Sequence, residues 1–164
     1  MRFTNEFLLK CFTYEFFLTH FARFLSFNSA KIHFEFAEIQ CSITRNYDLA
    51  RTHYLKAAQI LPSSEELWFK SAHLLHYHMR ENSEAERCYQ QCLSRNPVHV
   101  RALIHYGFLL CNALQRHMSA KKLLARALQL QPDDADAKFG MSVVELIQMG
   151  INNDKLLSDC RGAP

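Results

Sequence analysis

A pattern of small and bulky residues recurs every 35 residues along this chain. Pro62, Pro97 and Pro132 are 35 residues apart, and each follows a segment with the same internal order. Counting back from each proline, the same three positions hold small, large and small side chains: Ala50, Tyr54 and Ala57; Ala85, Tyr89 and Cys92; Ala120, Leu124 and Ala127. A fixed period of this length is typical of an array in which each helical segment buries its apolar face on the next.

The small–large–small set indicates a helix. Its spacings of four and three residues bring the three side chains to one face of an α-helix. Small side chains on that face allow two helix backbones to approach closely, while the larger side chain fills the space between them. The pattern predicts pairs of helices joined by a short turn. Each proline follows the second helix, where its missing amide does not interrupt the hydrogen-bond ladder.

The first helix of each pair is aligned through four further sets of equivalent residues. These are Phe34, Trp68 and Leu103; Ala37, Ser71 and Tyr106; Glu38, Ala72 and Gly107; and Cys41, Leu75 and Leu110. In this register the first pair reaches Ala50 one residue sooner, so we expect a one-residue insertion at the helix–helix turn of the other two pairs. The register also puts Glu38 where a small residue is expected. Ser83, followed three residues later by Glu86, has the spacing of a capping box at a helix start.

Together these residues resemble the tetratricopeptide repeat (TPR) family of stacked antiparallel helix pairs. The matching residues fall into three groups: Phe34, Tyr47, Ala50, Tyr54, Ala57 and Pro62; Trp68, Leu75, Ala85, Tyr89 and Pro97; Gly107, Leu110, Ala120, Ala127 and Pro132. The resemblance implies an all-α fold, a right-handed α-α superhelix of about three helix-turn-helix repeats. It covers residues 31–149, with repeats at 31–64, 65–99 and 100–134 and a capping helix at 135–149.

The first 30 residues do not follow the repeat. Eight of the 13 phenylalanines lie there, and burying each ring is worth about 1.5–3 kcal/mol. We expect residues 1–30 to form a Phe-rich helix that packs on the first repeat, associates with a second chain, or belongs to a buried helix of a larger protein. Charged residues interrupt the segment, which argues against a membrane span, a secretory signal or a mitochondrial presequence. Residues 150–164 are expected to form a C-terminal tail.

Composition and motifs argue against several functional classes. The 19 basic residues are dispersed among 16 acidic ones, which argues against nucleic-acid binding. The six cysteines form no CxxC pair, so we expect reduced thiols and an intracellular, cytoplasmic location. The sequence has no phosphate-binding glycine loop, GxSxG or HExxH motif, so we expect no enzymatic activity and no cofactor. A zinc site is the alternative for His73, His76, His105 and Cys111, although histidines on such a helix face are more typical of peptide contacts.

The TPR resemblance implies a partner-binding groove along the first helices, where members of the family take an extended peptide or a helix. Helical spacing places these residues in the groove: Phe36, Ile39, Phe69, Lys70, His73, Tyr77, Arg101, Ile104, His105, Phe108 and Asn112. An apolar, aromatic groove with a few cations suits an apolar anchor with an acidic or amide flank. The alternative is that Phe36, Phe69 and Phe108 are core residues beneath the N-terminal helix.

The expected function is a protein–protein interaction module, an adaptor or scaffold for a protein or peptide that the sequence does not identify. The alternative is a helical-repeat scaffold in RNA processing, which would need a basic stripe beyond Lys70, Arg101 and Arg116. One TPR subset binds carboxylate-terminated chaperone tails through a lysine and an asparagine in its first helix. Glu35 and Ile39 are at those places here, and Glu35 would repel a carboxylate.

Overall fold

A computed structural model describes residues 28–149, and all regular structure in that range is helical. The α-helices are α1 (residues 28–39), α2 (Tyr47–Ile60), α3 (Glu65–Leu74), α4 (Asn82–Arg95), α5 (Val100–Phe108), α6 (His117–Leu130) and α7 (Ala135–Gln148). Three π-helical turns continue α1, α3 and α5: π1 (Gln40–Thr44), π2 (Leu75–Met79) and π3 (Leu109–Ala113). The sequence prediction of an all-α chain is confirmed for these residues.

Two predicted segments fall largely outside the described residues. These are the Phe-rich helix at 1–30, with its possible self-association, and the tail at 150–164. Residues 28–30 are helical and continue without a break into residues 31–39. Among residues 28–149, no helix is both long enough and apolar enough to cross a lipid bilayer.

Contacts divide the chain into two compact units, Met1–Leu67 and Trp68–Pro164. We use unit 1 for the described residues of the first (28–67) and unit 2 for those of the second (68–149). Unit 1 contains the helix pair α1 and α2, whereas unit 2 contains two complete second helices, α4 and α6. Each unit therefore has its own helix–helix packing.

In unit 1, small residues bring α1 and α2 together. Ala37, Ala50 and Ala57 have no solvent exposure. The ring of Tyr54 lies 5.9 Å from that of Phe34, and its hydroxyl donates to Glu38 Oε1 over 2.5 Å. The alanines and Tyr54 thus form the close-packed side of this pair.

Unit 2 repeats the same packing in a continuous core. The small–large–small residues of α4 and α6 are all completely buried: Ala85, Tyr89, Cys92, Ala120, Leu124 and Ala127. Leucines from α5 and π3, together with Ala137 and Val144 from α7, belong to the same core. The predicted packing face of the second helices is confirmed in both units.

The three repeat prolines lie in four-residue turns between one helix pair and the next. In each turn the fourth amide donates to the first carbonyl: Ser64 to Leu61 (3.1 Å), His99 to Asn96 (3.2 Å) and Asp134 to Gln131 (3.3 Å). Proline is the second residue of each turn, where its fixed φ is favourable and its missing N–H is not needed. This explains why proline recurs with the period of the array.

Each first helix ends in a π-helical turn, and a residue with positive φ follows directly in the first two repeats and after Leu114 in the third. Arg45, Arg80 and Gln115 have φ angles of 52°, 61° and 53°, and they are the non-glycine residues with positive φ in the described range. Such angles are uncommon outside glycine. Their recurrence every 35 residues makes them part of the repeat.

The predicted one-residue insertion is wrong, because the 35-residue period holds through the first helices as well. Ala37 and Ala72 are fully buried. Ala37, Ala72 and Gly107 follow one another at intervals of 35 residues. A Cβ atom at Gly107 would come within 2.9 Å of Leu124 Cγ, which explains the small residue. In the first pair, the position that requires a small side chain is therefore occupied by Ala37, and Glu38 is the residue after it.

The capping box predicted for Ser83 and Glu86 is also wrong. Helix α4 begins at Asn82, and its N-cap residue makes no side-chain capping bond. Glu86 instead accepts a hydrogen bond from the Tyr106 hydroxyl over 2.8 Å and pairs with Arg116. The acidic side chain connects α4 to α5 and to the start of α6.

Candidate functional site

Unit 2 contains most of the residues predicted for the groove. They lie on α3 and π2, and on α5 and π3: Phe69, Lys70, His73, Tyr77, Arg101, Ile104, His105, Phe108 and Asn112. We define the ring cluster as Phe69, His73, Tyr77, His105 and Phe108. Helical spacing brings its members on each segment to one side.

The centre of the ring cluster is a group of three polar rings. The centroids of His73 and His105 are 5.2 Å apart with the rings at 88°. Tyr77 lies 4.7 Å from His73 and 5.5 Å from His105. Tyr77 Oη and His105 Nδ1 are 2.9 Å apart and share a hydrogen bond. This bond joins π2 to α5.

Two predicted groove residues form the floor beneath these rings. Phe69 and Ile104 are each 3% exposed and belong to the core of unit 2. The Phe69 ring lies 5.7 Å from His105, and the Arg101 guanidinium lies 4.8 Å from the Phe69 centroid. A cation over an aromatic face is electrostatically favourable. The floor thus holds both an imidazole and a cation in place.

The accessible side of the cluster is aromatic, with cations beside it. Tyr77 is 38% exposed, Arg101 and Asn112 are exposed, and His73, His105 and Phe108 are half-buried. Phe108 lies 6.4 Å from His105. Since these side chains make contacts with one another, the surface is largely ordered before any partner arrives.

His76 is buried, although the next residue, Tyr77, lies on the accessible side of the ring cluster. It is 7% exposed, and its ring lies 4.2 Å from Tyr77 and 6.2 Å from Tyr89. His76 Nδ1 and Tyr89 Oη are the buried side-chain polar atoms that lack a hydrogen-bond partner in the described part of the chain. A signal was available in the sequence, because the position 35 residues later is Cys111, a small apolar thiol that is also buried.

The imidazoles of the ring cluster, and that of the buried His76, are uncharged at neutral pH. Burial, and then the neighbouring His105, lower the pKa of His73 and that of His76 to about 4. Burial also lowers the pKa of His105, and the carboxylate of Asp136 partly opposes this effect. The positive charge at this surface therefore belongs to lysine and arginine and not to histidine.

The two predicted groove residues in unit 1 have different surroundings. Phe36 is 40% exposed and its ring lies 4.6 Å from His53 of α2, while Ile39 is 46% exposed. In the corrected register the unit 1 equivalents of Phe69 and His73 are Phe34 and Glu38. Phe36 and Ile39 thus lie on another face of the repeat, because the sequence alignment was shifted by one residue.

The described residues contain no group of three or more His, Cys, Asp and Glu side chains that could hold a metal ion. Cys111, the fourth candidate ligand, lies 3.7 Å from His117 Nδ1. Of the described cysteines, Cys88, Cys92 and Cys111 are buried and Cys41 is partly buried.

Comparison with known proteins agrees with this architecture. Residues 65–99 match the family model described as tetratricopeptide repeat. A stretch of 90 residues, 55% of this chain, is 28% identical to the human protein O-mannosyl-transferase TMTC3. That stretch covers only 10% of the length of the human protein.

Solved TPR domains have the same fold. The first TPR of Spaghetti (RPAP3), solved with the HSP90 peptide SRMEEVD, has a TM-score of 0.70 and 21% identity, covering 74% of this chain and 94% of that one. The Arabidopsis OM64 TPR domain has a TM-score of 0.68 and 16% identity, covering 73% of this chain and 97% of that one. The predicted all-α fold of TPR type is confirmed.

Proposed function

We propose that this chain, a tetratricopeptide repeat protein, is a protein-interaction module that binds an extended peptide or a helix on the ring-cluster face of unit 2. The observation that carries the proposal is the ring cluster itself. Its accessible rings are aromatic and imidazole, and the Tyr77–His105 hydrogen bond of 2.9 Å ties its two segments together. Such a surface offers contact area to a partner, and its side chains lose little conformational freedom when the partner binds.

The residue types suit this role. Tyrosine and arginine are enriched among residues that dominate binding energy, and Tyr77 and Arg101 are both exposed. Ring contacts already restrict Tyr77, so less conformational entropy is lost when a partner binds. Lys70 and Arg101 add positive charge beside the rings, which favours a partner with an acidic or amide flank next to an apolar anchor.

Peptide binding by a protein of the same fold supports the proposal, since the RPAP3 domain was solved with the HSP90 peptide. The chaperone-tail mode itself does not fit the residues of this chain. In the corrected register, Phe34 and Glu38, and not Glu35 and Ile39, are equivalent to the lysine and the asparagine of the chaperone-binding subset. Neither Phe34 nor Glu38 supplies a cation or an amide. We therefore propose a peptide of another class.

A random peptide library displayed on phage, panned against the full chain, tests the proposal. We expect enriched peptides with an apolar or aromatic anchor, and at least about tenfold weaker binding to the Tyr77→Ala/Arg101→Ala variant, a loss of about 1.4 kcal/mol. Arg87→Ala/Met118→Ala is the matched control, because both residues are exposed on α4 and α6. Equal affinity of the two double variants for the enriched peptides would contradict the proposal.

The RNA-scaffold alternative is separated by a different measurement. One of the three cations it relies on, Arg116, is paired with Glu86. Non-specific RNA binding weakens steeply with salt, so a gel shift with a single-stranded RNA oligonucleotide at low and high salt distinguishes the two. A salt-sensitive shift that Lys70→Glu/Arg101→Glu abolishes would favour the alternative.

A further inference from the structure

We propose that the Tyr77–His105 pair recognises a carboxylate of an acidic peptide in a proton-dependent way. The peptide binds together with one proton from solvent, which His105 takes up. The inference rests on the proposed function, and it names the chemical class of the ligand and the condition that strengthens binding.

The hydrogen bond between the two side chains gives the reason. A neutral imidazole has one donor and one acceptor nitrogen, whereas a protonated imidazole has two donors. When His105 is protonated, its Nδ1–H must donate to Tyr77 Oη, 2.9 Å away. The Tyr77 hydroxyl proton then points elsewhere. Because Tyr77 is 38% exposed, that proton can be donated to a ligand.

Protonation of His105 therefore frees the Tyr77 O–H to donate a hydrogen bond to an anion. This holds whether Tyr77 or His105 is the donor of their shared hydrogen bond in the neutral form. The Tyr77 O–H and the positive imidazolium both favour a carboxylate, and charge-assisted hydrogen bonds are about twice as strong as neutral ones. His73, at 5.2 Å from His105, stays neutral, because two adjacent imidazolium ions would repel each other.

Charged and titratable groups on several segments surround His105 and the three side chains next to it, His73, His76 and Tyr77. They are Lys70 and His73 on α3, Tyr77 and His78 of π2 with the buried His76, Arg80 after π2, Tyr89 on α4, Arg101 on α5, and Asp134 and Asp136 at the start of α7. Arg101 opposes protonation of His105 while the site is empty, whereas Asp134 and Asp136 favour it.

An arriving carboxylate changes this balance. Burial keeps the pKa of His105 below its ordinary value in the free protein, so the imidazole is neutral at pH 7. A negative charge within about 4–6 Å favours the protonated form. By linkage, a ligand that raises the pKa of His105 must itself bind more tightly as the pH falls. Arg101 attracts the same carboxylate and helps to keep it near the pair.

Two synthetic peptides serve as probes: Ac-LEELEEL-NH2 and its neutral counterpart Ac-LQQLQQL-NH2. Their affinities for the full chain are measured by calorimetry at pH 7.5, 6.5 and 5.5, with circular dichroism to confirm that the chain is folded at each pH. One proton taken up per peptide tightens binding by up to about tenfold per pH unit. We expect the glutamate peptide to bind at least about threefold tighter at pH 5.5 than at pH 7.5, and the glutamine peptide to show no such dependence.

Three variants locate the proton. His105→Gln keeps a polar side chain without a titrating group and should remove the pH dependence, while Tyr77→Phe should weaken binding of the glutamate peptide mainly at pH 5.5. His117→Gln is the matched control, since His117 is partly buried in unit 2 outside the ring cluster. In NMR titrations the His105 Cε1–H resonance should show a higher pKa with the glutamate peptide than without it.

The outcomes separate this inference from the proposed function. If the glutamate peptide binds no tighter at pH 5.5, or if His105→Gln retains the full pH dependence, the inference is overturned while peptide binding on the ring-cluster face stands. If neither probe binds and phage panning also finds no peptide that depends on Tyr77 and Arg101, both fail together.

Discussion

The first repeat and the repeats of unit 2 have apolar residues at equivalent positions, 35 residues apart. Residues at some of these positions are buried in unit 2 and exposed in the first repeat. Ile39 is 46% exposed, whereas its equivalents Leu74 and Leu109 are 2% and 0% exposed. Phe36 is 40% exposed, whereas its equivalent Tyr106 is 8% exposed. The comparison teaches that the period determines which residue types recur, while burial depends on what packs against each helix pair.

A second difference concerns the tyrosine at the centre of each packing face. Tyr54 in unit 1 donates to Glu38 over 2.5 Å. Its equivalent in unit 2, Tyr89, is completely buried, and its hydroxyl has no partner among residues 28–149. The Tyr54 hydroxyl therefore donates a hydrogen bond to a carboxylate, whereas the Tyr89 hydroxyl is an unpaired polar group in the core.

The largest expected effect is a charge placed on the close-packed face that the two regions share. Ala120→Glu in α6 and Ala50→Glu in α2 each put a carboxylate at a position with no solvent exposure. We expect each to lower the free energy of unfolding by about 3–5 kcal/mol, since an unpaired buried charge is strongly unfavourable. Urea denaturation followed by circular dichroism measures the loss. Retention of full stability by either variant would show that this face is not closely packed.

The burial difference itself is tested by a matched pair of truncations. Leu109→Ala should lower the free energy of unfolding by about 2–5 kcal/mol, because it leaves a cavity in the core. Ile39→Ala, at the equivalent exposed position, should cost no more than about 0.5 kcal/mol. Chemical denaturation of the two variants gives both values. Similar costs would remove the distinction between the two regions.

The packing faces of the second helices were predictable from sequence, because small residues that recur at helical spacing indicate close contact between helix backbones. The register of the first helices was not. Aligning Phe34 with Trp68 by bulk shifted the first repeat by one residue, and burial of Ala37 was needed to correct it. The pairing of Tyr77 with His105 depends on the approach of π2 to α5, which local sequence does not encode. The burial of His76 could have been predicted from the equivalent Cys111.

Acid should affect unit 2 through His76. Burial lowers the pKa of this imidazole from 6.5 to about 4, so folding favours its neutral form. Its contribution is complete above pH 6.5 and is lost as the pH falls from 6.5 to 4, by about 3 kcal/mol at 1.36 kcal/mol per pKa unit. His76→Phe should therefore flatten the decrease in melting temperature over that range.

The control for the acid prediction is His53→Gln in unit 1, because His53 is only partly buried. Partial burial, and then the neighbouring His33, lower the pKa of His53 as well, so the variant should change the pH profile in the same direction but less than His76→Phe does. A profile that His76→Phe leaves unaltered would mean that the protonated imidazole finds a partner in the folded chain.

The last prediction compares the two tyrosines. Tyr54→Phe should cost about 1.5–3 kcal/mol, because it removes a hydrogen bond to a charged group. Tyr89→Phe should lie within about 0.5 kcal/mol of the parent or stabilise it, because the lost hydroxyl has no partner to leave behind. Thermal unfolding of both variants compares them directly. A larger cost at Tyr89 than at Tyr54 would reverse the contrast.

The central claim is that a peptide binds on the ring-cluster face of unit 2, and chemical-shift mapping of the full chain with a phage-selected peptide tests it most directly. The account predicts that the amide and side-chain resonances that change belong to π2 and α5, with those of Tyr77, Arg101 and His105 changing most. Changes confined to the outer faces of α4 and α6, with the ring cluster unaffected, would contradict it.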